Sequence, residues 1–171
     1  MNPDKRDHTR TWTADISDAN PEAQVVDVAF ASFGGRSFCI GPAELMTTID
    51  DNSLVSKTLD EPGEGRVLVV DNSGSTSCAM LGGDLARKAA ANGWAGVVVY
   101  GAIRDTVELR EARLAVFALR ATPRKSVKRG IGQRRDALQL PGARFASGDI
   151  VAADADGVLV VPKAKFVDVR G

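Results

Sequence analysis

An α/β fold built round a central β-α-β unit is predicted by three stretches of this chain. Arg66-Val67-Leu68-Val69-Val70-Asp71 is a nearly continuous aliphatic run, the pattern of a strand buried on both faces. Gly82 to Asn92 follows with Leu85, Ala86, Ala89 and Ala90 at helical spacing, Asp84 near the positive end and Gly93 to close it. Ala95 to Tyr100 is a second buried run. Strands joined this way are parallel, with a right-handed crossover, and ligands of such units bind in the loops beyond the carboxyl ends of the strands. Here those loops are Asn72 to Asp84 and Gly101 to Asp105.

The remaining elements follow from local signals. Residues 1 to 11 form a polar, flexible arm, and residues 12 to 171 one domain, because a chain of 171 residues holds one core and not two. Thr13 to Asn20 opens as a helix with Thr13 or Asp15 as its cap. Phe33 to Ser37 is a turn; a strand starts at Phe38, is broken by Gly41-Pro42 and resumes over Ala43 to Thr48. Asp50, Asp51 and Asn52 cap a short helix that runs through Leu59. Short strands near Ala115 to Leu119, Ala137 to Leu140, Ile150 to Ala153 and Val158 to Val161 make the second half mostly β, with Asp154-Ala155-Asp156-Gly157 as a hairpin turn.

Composition excludes several classes of function. Lys plus Arg and Asp plus Glu are equal at 22 each, which leaves no global attraction to nucleic acid or to an anionic membrane. No apolar run approaches the roughly 20 residues of a membrane span, and the first dozen residues lack a signal sequence, so the expected compartment is the cytoplasm. Cys39 and Cys78 have no metal or disulfide spacing and read as buried residues. The single histidine, His8, lies in the polar arm, so a Ser-His-Asp triad is not expected, and one histidine cannot form a histidine metal cluster. Any metal is left with oxygen ligands, the preference of magnesium and manganese.

Two stretches carry chemistry. Gly82-Gly83-Asp84-Leu85 opens a helix after a Gly- and Ser-bearing loop, so its amides and dipole suit a carboxylate or phosphate, though such a loop is also a tight turn. Neither GxGxxG nor GxxxxGK[ST] is present, which excludes a dinucleotide fingerprint and a P-loop. The second strand leads into Tyr100-Gly101-Ala102-Ile103-Arg104-Asp105-Thr106-Val107-Glu108, where a guanidinium and two carboxylates fall beside the first loop. Asp105 as a helix cap with a surface Arg104 is the plainer reading of the same residues.

Taken jointly, Gly83, twenty residues, Arg104-Asp105, two residues and Glu108 resemble the G-x20-R-D-x2-E/D signature of the RraA-like class II pyruvate aldolases. That family includes 4-hydroxy-4-methyl-2-oxoglutarate aldolase, with its oxaloacetate decarboxylase activity, and the regulators of ribonuclease E activity. The resemblance extends over Thr13 to Asp18, Phe33-Gly34-Gly35, Arg66 to Asp71, Gly93-Trp94-Ala95-Gly96, Thr122-Pro123-Arg124, and Gly148-Asp149 through Asp156-Gly157-Val158. It implies a layered β/β/α swivelling-domain fold like that of phosphohistidine domains, assembled as a homotrimer or hexamer with active sites between subunits. It also implies a magnesium- or manganese-dependent lyase that forms pyruvate enolate from a small 2-oxo acid. On that model Asp105 ligates the metal and Glu108 acts from the outer shell. Arg104 stabilises the enolate, Gly82, Gly83, Asp84 and Leu85 bind substrate with Arg104, and Asp84 is the further catalytic candidate. Asp84 and Glu108 equally suit the starts of their helices.

Two features depart from that pattern. The longer signature has another acid after seventeen intervening residues, where this chain has Ser126. Arg120, Arg124, Lys125, Lys128, Arg129, Arg134 and Arg135 form a basic stretch without an acidic residue; it reads as a solvated or subunit-interface loop, or as attraction for a substrate dianion or an RNA-processing enzyme. No aromatics interleave with it, so direct nucleic-acid stacking is not expected. The alternative function is accordingly a protein-interaction module that inhibits a ribonuclease, and the retained Asp105, which those regulators tend to lose, favours the lyase.

Overall fold

The predicted β-α-β unit is present in the computed structural model, which describes residues 12–170; the arm over residues 1–11, with His8, lies outside the described residues. In chain order the elements are α1 Thr13–Ala19, β1 Gln24–Val25, β2 Ala31–Ser32, β3 Cys39–Thr47, α2 Ser53–Leu59, β4 Val67–Asp71, β5 Ala79–Leu81 and α3 Gly83–Ala91. There follow β6 Gly96–Ile103, α4 Thr106–Glu111, β7 Ala115–Ala121, β8 Gln133–Arg134, β9 Ala137–Leu140, β10 Ala143–Ala146, β11 Ile150–Asp154 and β12 Gly157–Val161. A 3-10 turn, Lys163–Lys165, precedes the C-terminal segment.

Strands β3, β4, β6 and β7 are parallel neighbours, with Val67 opposite Gly96 and Gly96 opposite Ala115. Their alternate side chains feed two cores, which is why the β4 run is apolar on both faces. Leu68, Val70, Val97, Val99, Val116 and Ala118 pack under α2, α3 and α4 with Leu59, Ala86 and Leu109. Val67, Val69, Val98 and Phe117 pack the other way, against Val151, Val158 and Val160 of the antiparallel β11–β12 hairpin and Leu138 and Phe145 of the β9–β10 hairpin. The outer face of β11–β12 is covered in turn by Ile16 of α1 with Phe38 and Phe166. The result is the layered β/β/α arrangement implied by the resemblance. Completely burying a residue such as Phe117 stabilises it by about 2 to 3 kcal/mol.

Sequence and structure differ at β3. Gly41-Pro42 does not break the strand. Residues Cys39 to Pro42 pair antiparallel with β11, and Ala43 to Thr47 pair parallel with β4, so one continuous strand passes from one layer to the other. Gly41 is needed at the crossing because a Cβ there would stand 2.0 Å from the Gly65 carbonyl oxygen. The expected loop at Gly101 is also shorter than its sequence suggests, since β6 continues to Ile103, pairing Ala102 and Ile103 with β5.

The first helix is capped from a distance. Neither Thr13 nor Asp15 caps α1; the carboxylate of Asp154, at the β11–β12 turn, accepts the Trp12 and Thr13 amides at 2.7 and 2.9 Å and the Thr13 hydroxyl at 2.7 Å. Asp154 is 4% exposed, so replacing it strands buried donors as well as the cap. Asp154→Ala should cost about 2 to 3 kcal/mol, read as a lower urea midpoint with an unchanged slope. A midpoint within error of the native chain's would refute the remote cap.

Candidate active site

The C-terminal edge of the parallel strands brings α3 and the end of β6 together. Gly82 is the extended N-cap of α3, and as first-turn groups the amides of Gly83, Asp84 and Leu85 have no acceptor within the helix. The Gly83 amide donates to Asp105 Oδ2 at 3.0 Å. Asp105 stands in the left-handed region, at φ 58°, between β6 and α4, and makes no cap bond to its own helix. Its carboxylate turns back across the cleft instead. Arg104 Nε lies 3.6 Å from the same Oδ2, and both side chains remain about two-fifths exposed.

The spacing of the motif has a steric basis. A Cβ on Gly82 would meet Asp105 Oδ2 at 2.6 Å, and one on Gly83 would meet Glu108 Cβ at 2.6 Å. Gly82 therefore leaves room for the carboxylate, while the Glu108 methylenes cover Gly83. Two residues between Asp105 and Glu108 set Glu108 one turn into α4, over Gly83.

A cavity of ≈ 240 Å³ opens here, lined by Gly82, Asp84, Leu85, Arg104 and Asp105 and also by Lys125, Lys128 and the hydrogen-bonded pair Asn52 and Ser126. The Asp84 carboxylate is 89% exposed and pairs with Arg87 at the rim. Glu108 does not line the cavity. The structure thus gathers Gly82, Asp84, Leu85, Arg104 and Asp105 round one space, gives the Gly83 amide to Asp105, and sets Glu108 behind Gly83. Cys39 and Cys78 are buried and free, and burial foremost, with Asp154 nearby, pushes the Cys39 thiol up to about 12, which excludes a thiolate.

The basic stretch divides in two. Arg134 pairs with Glu61 at 2.5 Å and Glu44 at 3.4 Å, Arg135 donates to Thr47, and Arg129 donates to the Ile49 carbonyl, so these residues clasp the loop to β3 and α2. Lys125 and Lys128 face the cavity. Nothing in the sequence separated these two from their neighbours beyond the lack of acids nearby, and Asn52 read only as a helix cap.

Asp51 fixes this loop. It is fully buried, and its carboxylate accepts the Ser53 amide at 2.7 Å, the Arg129 amide at 2.6 Å and the Ile131 amide at 3.2 Å. Burial alone would raise its carboxyl; the hydrogen bonds from Ser53, Arg129 and Ile131 outweigh it and draw it down to about 2.

Comparison with known proteins bears on this arrangement. The family model described as aldolase/RraA, RraA-like, matches residues 13–160. A 4-hydroxy-4-methyl-2-oxoglutarate aldolase of Thermus thermophilus is 47% identical over 151 residues, covering 88% of this chain and 92% of that protein. Among solved structures, the RNA-processing inhibitor RraA from Thermus superposes with a TM-score of 0.87 at 45% identity, over 95% of this chain and 98% of that one. A structure named S-adenosylmethionine: 2-dimethylmenaquinone methyltransferase, from Geobacillus kaustophilus, gives 0.86 at 41% identity, over 90% and 96%.

A carboxyl lowered by folding adds stability that is complete above its unfolded value near 4 and is lost as the pH falls towards about 2. The Arg129 and Ile131 amides should therefore lose hydrogen-exchange protection between about pH 4 and 2 in the native chain. In Asp51→Asn they should be weakly protected at every pH. Protection that is independent of pH in the native chain would contradict the clasp.

Proposed function

The chain belongs to the RraA-like family, and on that premise we propose that it is a lyase acting on small 2-oxo acids through a pyruvate enolate. Its substrates are 4-hydroxy-4-methyl-2-oxoglutarate-type acids, cleaved by retro-aldol reaction, and oxaloacetate, by decarboxylation. The observation that carries this reading is the meeting of Arg104, Asp105 and the first turn of α3 at one cavity.

Either reaction breaks a carbon–carbon bond and leaves its electron pair on the pyruvate half, delocalised onto the 2-oxo oxygen. Positive charge held at that oxygen lowers the barrier. Arg104 is the guanidinium available for this. The Asp84 and Leu85 amides, at the positive end of α3, suit the substrate's carboxylate, since the Gly83 amide is already engaged. The Asp84 side chain, at the rim beside Arg87, is the carboxylate placed to pass a proton between cavity and solvent.

The donor set fits a hard divalent ion. Asp105 Oδ1 has no hydrogen-bond partner among the described residues, and no group of three or more His, Cys, Asp or Glu converges there. One carboxylate with water and substrate oxygens suits magnesium or manganese, which keep much of their water shell, and does not suit zinc. When bound, such an ion polarises the 2-oxo group as a Lewis acid. Asp105 would hold it, with Glu108 acting at most through water.

The same reading carries a homotrimer or hexamer with sites at the subunit boundaries, supported by the exposure of Arg104 and Asp105 on the open side. A second reading, inhibition of an RNA-processing enzyme through protein contact, is favoured by the Thermus structure's name and by exposed Val127 and Ile131 on the basic loop. Methyl transfer fits less well, because a sulfonium cofactor is a cation and Arg104, Lys125 and Lys128 line the cavity.

Pyruvate release from both acids decides between the first two readings. With magnesium, the native chain should turn over both; chelator, Arg104→Ala and Asp105→Ala should each lower kcat/KM by about 100-fold or more. Turnover indifferent to Asp105 would sink the metal assignment, and no turnover would leave the interaction module. Light scattering should give three, or six, times the chain mass of 18.0 kDa, and a monomer would remove the shared site.

A further inference from the structure

Charge is segregated along this chain although it balances overall. Residues 120–135 carry seven Lys and Arg and no acid, whereas residues 11–35 carry Asp15, Asp18, Glu22 and Asp27 and no Lys or Arg. The two stretches belong to different layers. The basic loop is clasped to α2 and β3 beside the cavity, while α1 covers the β11–β12 hairpin and β1 extends it. Asp18, Glu22 and Asp27 are exposed, and among the described residues the one ion pair of these three is Glu22 with Lys165, at 4.0 Å. Arg124 and Lys128 are exposed and have no ion-pair partner among the described residues.

Each stretch also exposes an aliphatic side chain among its charges. Val127 is 69% exposed between Arg124 and Lys128, and Val25 is 55% exposed between Glu22 and Asp27. Exposed Ile49 and Ile131 widen the loop face, since the Arg129 guanidinium reaches the Ile49 carbonyl and the Ile131 amide reaches Asp51. An apolar centre with a charged rim is the composition of a protein interface. Here the two rims have opposite sign.

We propose that the loop face of one copy docks on the α1–β1 face of the next, so that the chains join head to tail. The inference rests on the oligomer reading given above and deepens it, by assigning the two faces and the symmetry. A twofold contact of the loop face with itself would set cations against cations, and one of the α1–β1 face would set acids against acids. A contact between unlike faces repeats in one direction and, when the rotation closes, makes a ring. The loop also walls the cavity through Lys125 and Lys128, so the next copy arrives at the cavity mouth.

The test is the mass of the full chain in solution, by light scattering at low ionic strength, which needs no turnover. Arg124→Glu with Lys128→Glu, and separately Glu22→Lys with Asp27→Lys, should each weaken association by about 100-fold or more and yield particles of 18.0 kDa. The chain with all four substitutions has the same faces with their signs exchanged, and it should regain the native mass. Val127→Ser changes no charge and should weaken association by about tenfold, which keeps a readout should a charge-reversed chain fail to fold. A native oligomer that persists in either double variant or is unmoved by Val127→Ser would overturn the assignment of faces and leave the oligomer reading standing. So would a fourfold variant that is monomeric with native circular dichroism. A monomeric native chain would overturn both; if that monomer bound poly-L-glutamate or poly-uridylate through Arg124 and Lys128, the loop face would belong to a foreign acidic protein or to RNA.

Discussion

The hydrogen bond from the Gly83 amide to the Asp105 carboxylate joins the two ends of one crossover. The chain leaves the cleft along α3, returns along β6, and arrives beside its starting point; the twenty residues between Gly83 and Arg104 are the length of that excursion. A left-handed backbone at Asp105, unfavourable by about 1 kcal/mol for a residue other than glycine, aims the carboxylate back at Gly83 instead of at its own helix. Gly82 and Gly83 make room for it, and Glu108 closes the space behind. Each residue of the motif thus has a steric or polar reason for its position before any substrate is considered.

The rest of the fold holds that junction still. Strand β3 belongs to both layers, so the parallel strands that carry the cleft are fixed to the antiparallel strands beneath by covalent continuity as well as by packing. The Gly41 approach to Gly65 allows the crossing without a break in the hydrogen-bonded ladder. Hydrophobic burial on both faces of β4 and β6 makes the platform rigid, and the loops above it can then carry charge at little cost to stability.

The loop from Thr122 to Arg135 shows how one charged segment serves two ends. Asp51, Glu44 and Glu61 take Arg129 and Arg134 and tie the loop down. That leaves Lys125 and Lys128 at the cavity, held by a clasp they do not take part in. Fixing their backbone in advance lowers the entropy lost when an anion is bound.

Much of this was legible in the residues themselves. Aliphatic runs, helical spacing and the Gly93 stop gave the β-α-β unit because burial on two faces or one leaves a period in the sequence. The β-α-β reading placed the cleft in the loops beyond the strand ends, and the family resemblance singled out Gly83, Arg104-Asp105 and Glu108 within them. Partners distant in sequence were not legible. Asp154 capping α1, Asp51 holding Arg129 and Ile131, and Asn52 meeting Ser126 each join residues more than seventy positions apart, and no local pattern records them. The same holds for Gly41-Pro42, which reads as a break because the sequence does not show that the strand changes neighbours there. Local sequence determined the buried strands and the helix of the crossover; tertiary packing decided where β3 and β6 end and which residues meet, because a hydrogen bond depends on distance in space and not on distance along the chain.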